Sequence, residues 1–236
     1  MKQWFTLLMF ALLASPFLTN AQTADEIIEK HIKAMGGADK LKAIQSVVME
    51  GEINAQNMKI PISMTTVHNK AWRMDFSMMG MKAFMIMRSD SGWMFMPFSG
   101  QTAPEAIPAD QLKEGKSQLD IQGQLLDYKE KGHTVEYIGM DDVEGTECYK
   151  LKLTEKEGKA SYYLIDPTSY YVVRRTGKQN IGGKEMEIST DLGDYKAVEG
   201  GYIFPHSIAS QNGPIVMTKV TVNPKVDDSK FVPSMN

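Results

Sequence analysis

Between Trp72 and Phe98 apolar residues recur at every second position. Trp72, Met74, Phe76 and Met78 alternate with Arg73, Asp75 and Ser77, the period of a strand. Gly80, residues 89–92 and Pro97 cut the rest into further pieces of strand length. In the second piece Met81, Ala83, Met85 and Met87 make one face, while Phe84 and Ile86 make the other face apolar too. In the third, Met94, Met96 and Phe98 oppose Trp93 and Phe95. An antiparallel strand with one wet face does not read this way. The pattern predicts three strands with apolar matter on both sides.

Upstream, residues 23–35 predict a helix. Thr23 and Glu26 have capping-box spacing, Gly36-Gly37 ends the element, and Ile27, Ile28, Ile32 and Met35 form its apolar stripe. His31 lies beside that stripe and reads as structural. A short helical turn at 38–44 precedes a strand pair at 47–53 and 58–68, turned at 54–57, with Pro61 marking an edge or bulge. Downstream, Pro104 and Pro108 punctuate a loop, and residues 109–131 read as helical or partly so, with Leu112, Leu119, Leu125 and Leu126 apolar. Gly115 and Gly123 each cost roughly 1 kcal/mol inside a helix, which predicts a set of short helices instead of a long one. The segment at about 104–132 is therefore expected to be a movable lid, with an ordinary covering helix as the alternative. After His133 come strands at 134–140, 148–154, 161–165, 172–178, 185–192, 203–210 and 216–222. Turns fall at 144–145, 157–158, 166–167, 182–183, 200–201 and 212–213. The expected class is mainly β (α+β): one large curved antiparallel sheet, an incomplete β-barrel of about 11–12 strands, with covering helices.

Composition sharpens the reading of the middle strands. Eight of the 18 methionines fall in residues 73–98. Methionine specifies the shape of a core poorly but suits a wall that accepts flexible apolar ligands. Ordinary core and ligand lining both fit that pattern. At the N-terminus Lys2, an apolar run at 4–13 and Thr19-Asn20-Ala21 predict a secretory signal peptide over residues 1–21, cut before Gln22. One domain, 22–236, is expected to follow. The signal carries no cysteine, so no lipid anchor is expected. Without Lys2 the 26 basic residues become 25 against 29 acidic ones, and no basic patch points to nucleic acid.

Little in the chain suggests catalysis. The single cysteine, Cys148, excludes an internal disulfide and reads as a buried thiol. His31, His68, His133 and His206 are scattered, without the spacing of a metal site. No nucleophile elbow and no phosphate loop is present. Asp110, Glu114 and Asp120 fit the wet side of the lid, and Asp141-Asp142 a solvated turn. The expectation is no enzyme, no catalytic residue, no metal and no cofactor. A periplasmic hydrolase and a lipid-responsive interaction module are the weaker alternatives.

Several groups in order resemble one family. They are the helix ending in Met35-Gly36-Gly37, the short turn at 39–44, residues 89–97, Tyr162 to Pro167 with Val172 to Arg175, Asp194-Tyr195 with residues 200–205, and the tail 228–233. Together they resemble the LolA/LolB superfamily of periplasmic outer-membrane lipoprotein-sorting proteins, in a divergent Bacteroidetes form. The resemblance implies a soluble, monomeric periplasmic carrier that binds lipoprotein acyl chains or another lipid between sheet and helices. It also implies an inner-membrane transporter as donor and an outer-membrane receptor as acceptor. The lipid-binding wall would be Trp72, Met74, Phe76, Met78, Met81, Met85, Met87, Met94 and Met96; the lid residues would be Leu112, Leu119, Leu125 and Leu126. In the family an arginine in an early strand helps latch the lid. The aligned place here is His68-Asn69, where no arginine stands.

Overall fold

Thr23 starts the first helix as the spacing predicts. Its hydroxyl accepts from the Glu26 N–H at 3.2 Å, and the Glu26 carboxylate accepts from the Thr23 N–H at 3.0 Å. Helix α1 (Ala24–Ala34) buries Ile27, Ile28 and His31, and α2 (Ala38–Lys42) buries Leu41. This computed structural model describes residues 23–55, 58–181, 184–210 and 213–234. The expected signal peptide, the turn at 182–183 and parts of those at 54–57 and 212–213 lie outside the described residues.

Thirteen strands follow: β1 (Ser46–Ala55), β2 (Met58–Val67), β3 (Ala71–Met78), β4 (Met81–Arg88), β5 (Gly92–Phe95), β6 (Glu105–Ala106), β7 (Thr134–Val143), β8 (Thr146–Thr154), β9 (Ala160–Ile165), β10 (Val172–Ile181), β11 (Lys184–Ala197), β12 (Ile203–Ser210) and β13 (Gly213–Val222). They form one sheet in the order β6-β5-β4-β3-β2-β1-β13-β12-β11-β10-β9-β8-β7. Every described pairing is antiparallel. So many twisted strands must curl, and the sheet is curved and unclosed. The strand beyond the expected twelve is β6, a two-residue edge inside the stretch read as loop. It is too short to show a period.

The two sheet edges, β6 and β7, are consecutive in the chain. The segment between them, residues 107–133, therefore crosses from one edge to the other. It contains α3 (Ala109–Gly115), a 3-10 turn at Lys116–Leu119, and then irregular turns to 132. The short helices expected as far as residue 131 give way to irregular turns after Leu119. Leu125 packs with Ile27, Ile28, Leu151 and Leu153; Leu126 packs with Leu41, Ile44, Val47 and Ile62. The second half of the crossing segment is thus packed into the core.

The face that carries the helices and the crossing segment is the inner face. Opposite it, Phe84 and Ile86 pack with Phe231, while Trp93 and Phe95 close around them. Arg73 fixes this tail: it donates to the Lys230 carbonyl at 2.8 Å, pairs with Asp75, and lies 4.6 Å over the Phe84 ring. The two-sided apolar strands predicted by the alternation therefore have a cover on each face.

Gly51 sits where β1 shifts register against β13. A Cβ there would stand 2.3 Å from the Val216 carbonyl oxygen and 3.0 Å from Met217 Cα, both backbone atoms that cannot swing aside. Gly51→Ala should destabilise by about 1–3 kcal/mol, read as a lower denaturant midpoint. A wild-type midpoint would show that this bulge relaxes.

Candidate functional site

Strand register turns the scattered methionines into a row. Met49 lies opposite Met64, Met64 opposite Met74, Met74 opposite Met85, and Met85 opposite Met94. Five neighbouring strands each contribute one methionine at the same level of the inner face, and all five are half-buried. Parallel rows flank it. Trp72 faces Met87, Phe76 faces Ala83 and Met78 faces Met81. The Phe76 ring also meets Phe98, with centroids 5.9 Å apart. The structure thus brings the nine expected wall residues onto one face, or to its margin in the case of Met96, just past β5. They differ in cover. Met87 is 6% exposed under α3, whereas Met81 is 36% exposed at the hairpin end. Met49 and Met64 belong to the same row and were not among the expected wall residues.

α3 rests on this wall through close contacts. A Cβ on Gly115 would fall 2.2 Å from Met87 Cε, and one on Gly92 would fall 2.6 Å from Leu112 Cδ2. Lys159 ties the helix to the far half of the sheet by a 2.5 Å pair with Glu114. That pair is part-exposed and contributes at most about 1 kcal/mol. Residues 120–132 are held more firmly. Gln122 donates to the Lys42 and Ile44 carbonyls, both at 3.0 Å, Tyr128 donates to Asp25 at 2.6 Å, and Lys131 pairs with Asp120 at 2.6 Å.

A cavity of about 300 Å³ lies beneath the second half of the crossing segment. Apolar groups from α1, α2 and the strands line it, among them Ile32, Leu41, Leu126, Val172 and Phe204. Leu126 and Ile121 belong both to this lining and to the cluster that holds Met49, Met64 and Phe76, so the cavity wall packs toward that end of the methionine row. A larger groove of about 480 Å³ mixes polar and apolar groups: Arg73, Asp75, Lys82 and Ser234 line it together with Ile62, Ala83, Phe84, Phe95 and the expected wall residue Phe76.

The His68-Asn69 corner touches the crossing segment. The Asn69 N–H donates to the Leu119 carbonyl at 2.8 Å, and His68 Nδ1 stands 3.7 Å from Asp120 Oδ1. Burial lowers the pKa of His68, against the pull of Asp120 and with the help of Lys131. Burial also lowers that of His31, whose Nδ1 meets the Tyr170 carbonyl at 2.8 Å. Both rings are therefore neutral in the fold, while the unfolded chain takes up protons near the ordinary 6.5. The stability they support is complete above that value and is lost as pH falls through the depressed folded pKa values. Urea midpoints should drop between about pH 7.5 and about pH 5. His31→Asn, whose amide can still donate to Tyr170, should flatten the drop; an unchanged slope would exclude His31 as its source.

Among the described residues no cluster of His, Cys, Asp or Glu could hold a metal. No described helix is long and apolar enough to cross a membrane. Cys148 is fully buried and burial raises its thiol pKa, which leaves it a packing residue.

No family model matches the chain, and no curated protein matches it. Solved structures do. A domain from Vibrio parahaemolyticus assigned to outer membrane lipoprotein sorting superposes with TM-score 0.53 at 12% identity, over 88% of this chain and 95% of that one. A LolA superfamily protein from Nitrosomonas europaea gives TM-score 0.53 at 13% identity, over 90% and 98%. The fold is LolA-like. Nearly the whole length of each chain is matched, so the likeness is to the fold as a whole and not to a fragment. The LolA-like fold is what the resemblance of the sequence motifs implied.

Proposed function

We propose that this protein is an exported carrier that binds acyl chains, of lipoproteins or of another lipid, between its sheet and the crossing segment. The methionine row carries the reading. Five half-buried, conformationally soft side chains on adjacent strands make an apolar surface that no jigsaw core needs. The LolA-like fold supports it. The Vibrio domain of the same fold is assigned to lipoprotein sorting. The expected signal peptide would deliver the chain to the periplasm, between an inner-membrane donor and an outer-membrane acceptor.

Energetics explain why the wall is only half-covered. Burying an acyl methylene contributes about 0.8 kcal/mol. Three chains of about fifteen carbons would total some 36 kcal/mol, well past the 18–21 kcal/mol at which reversible affinities saturate. A carrier that must release its cargo should bury the chains in part. α3 is the piece able to move, because its ties are few; Leu119, Leu125 and Leu126 anchor the remainder.

The test is direct. Protein purified without detergent is extracted with organic solvent, the extract is analysed by mass spectrometry, and uptake of a diacylated peptide is measured. Co-purifying lipid or stoichiometric uptake is expected. Clean extracts together with no uptake would sink the proposal.

A further inference from the structure

One cation faces the cavity without a carboxylate. β10 shifts register between Val172 and Arg174, so that Val172 pairs with Ile165 but Arg175 pairs with Tyr163. Arg174 thereby turns outward to Asp191, and Arg175 turns inward with Tyr163, whose ring it covers at 5.4 Å. Arg175 is half-buried and lines the cavity. Among the described residues no carboxylate lies within ion-pair distance of it. The one carboxylate in the cavity lining, Asp120, is taken by Lys131 at 2.6 Å. The buried histidine in the lining, His31, is held neutral.

A second donor stands beside it. Gln124 is 7% exposed and lines the same cavity. Its carbonyl oxygen accepts from the Tyr163 hydroxyl at 3.4 Å, which leaves the amide nitrogen as a donor with no hydrogen bond to any described residue. The half-buried Arg175 guanidinium and the Gln124 amide nitrogen both lack an acceptor among the described residues and open onto the chamber, which is otherwise lined largely by aliphatic and aromatic groups. A planar two-oxygen anion satisfies a guanidinium best.

We propose that the cavity selects an amphiphile with an anionic head, carboxylate or phosphate, held by Arg175 and Gln124, whose single alkyl tail runs out over the methionine row. The inference rests on the lipid-binding reading above and adds the head group to it. A chamber of about 300 Å³ is at the small end of ligand sites, which suits one head and the start of one tail. Ile121 and Leu126 in the cavity wall share an apolar cluster with Met64 and Phe76, the surface over which the tail would run.

The test uses the full chain and three probes of one tail length: hexadecanoate, hexadecyl phosphate and neutral hexadecanol, the anions below their micelle concentrations and the alcohol below its solubility limit. Displacement of a fluorescent acyl reporter gives the affinities. One or both anions should bind at least ten-fold more tightly than hexadecanol, and which anion leads distinguishes a fatty-acid head from a phosphate head. Arg175→Gln should abolish the preference, and an unchanged urea midpoint of the same variant reports an intact fold. Arg175→Lys should keep part of it. Equal binding of all three probes by the wild type overturns the head-group inference and leaves the lipid reading standing. A preference that survives Arg175→Gln overturns it equally. No binding of any probe overturns both.

Discussion

Met85→Asp should cut the affinity for an acyl reporter by at least ten-fold. Met85 is the fourth of the five methionines in the row, between Met74 and Met94, and is half-buried. A carboxylate there finds no cation within its own row and would be desolvated by any chain laid across it. The folded state itself keeps part of that side chain in water, so the expected loss of stability is only about 1–2 kcal/mol. Binding should thus fall much further than folding. Met85→Leu, which conserves volume, should cost under about 1.5 kcal/mol and preserve uptake. Reporter displacement and urea titration on the same samples separate the two effects. If Met85→Asp and Met94→Asp both bind as the wild type does, this is not the ligand wall.

Phe231→Ala is expected to show the reverse. Phe231 is 1% exposed and fills the outer apolar face against Phe84, Ile86 and Ala71. Removing a buried phenyl ring costs about 3–5 kcal/mol, from lost transfer energy and the cavity left behind. Arg73 would then hold the backbone of a tail with nothing beneath it. The denaturant midpoint should drop sharply, while acyl affinity of the folded fraction stays near wild type because the ring lies on the face away from the cavity. A midpoint within experimental scatter of wild type would mean that the tail is not a structural cover.

Much of this architecture could be read from alternation alone, because hairpins convert local period into global order. Each short turn fixes which residues face each other. The turn at Met79-Gly80, both with positive φ, sets Met74 against Met85. The antiparallel pairing of β1 with β2 likewise sets Met49 against Met64, so the alternation of the first two strands already carried the rest of the row. What escaped had specific causes. β6 has two residues and no period. Gly115 looked like a mere helix breaker, yet it is also the place where α3 can approach Met87 closely, a tertiary fact that no local rule contains. Arg175 escaped because strict alternation from Val172 would send Arg174 inward and Arg175 outward. The bulge between them reverses that, and the reversal puts the unpaired cation inside.

β1 and β13 meet at the middle of the sheet, so the last strand to be synthesised is the one that joins the two halves. Strands β2 to β6 on one side and β7 to β12 on the other are all made before that seam can close. Contacts of such long sequence separation are slow to form. A nascent chain of this topology cannot close its sheet until β13 emerges, so the two halves stay unjoined while all the other strands are made.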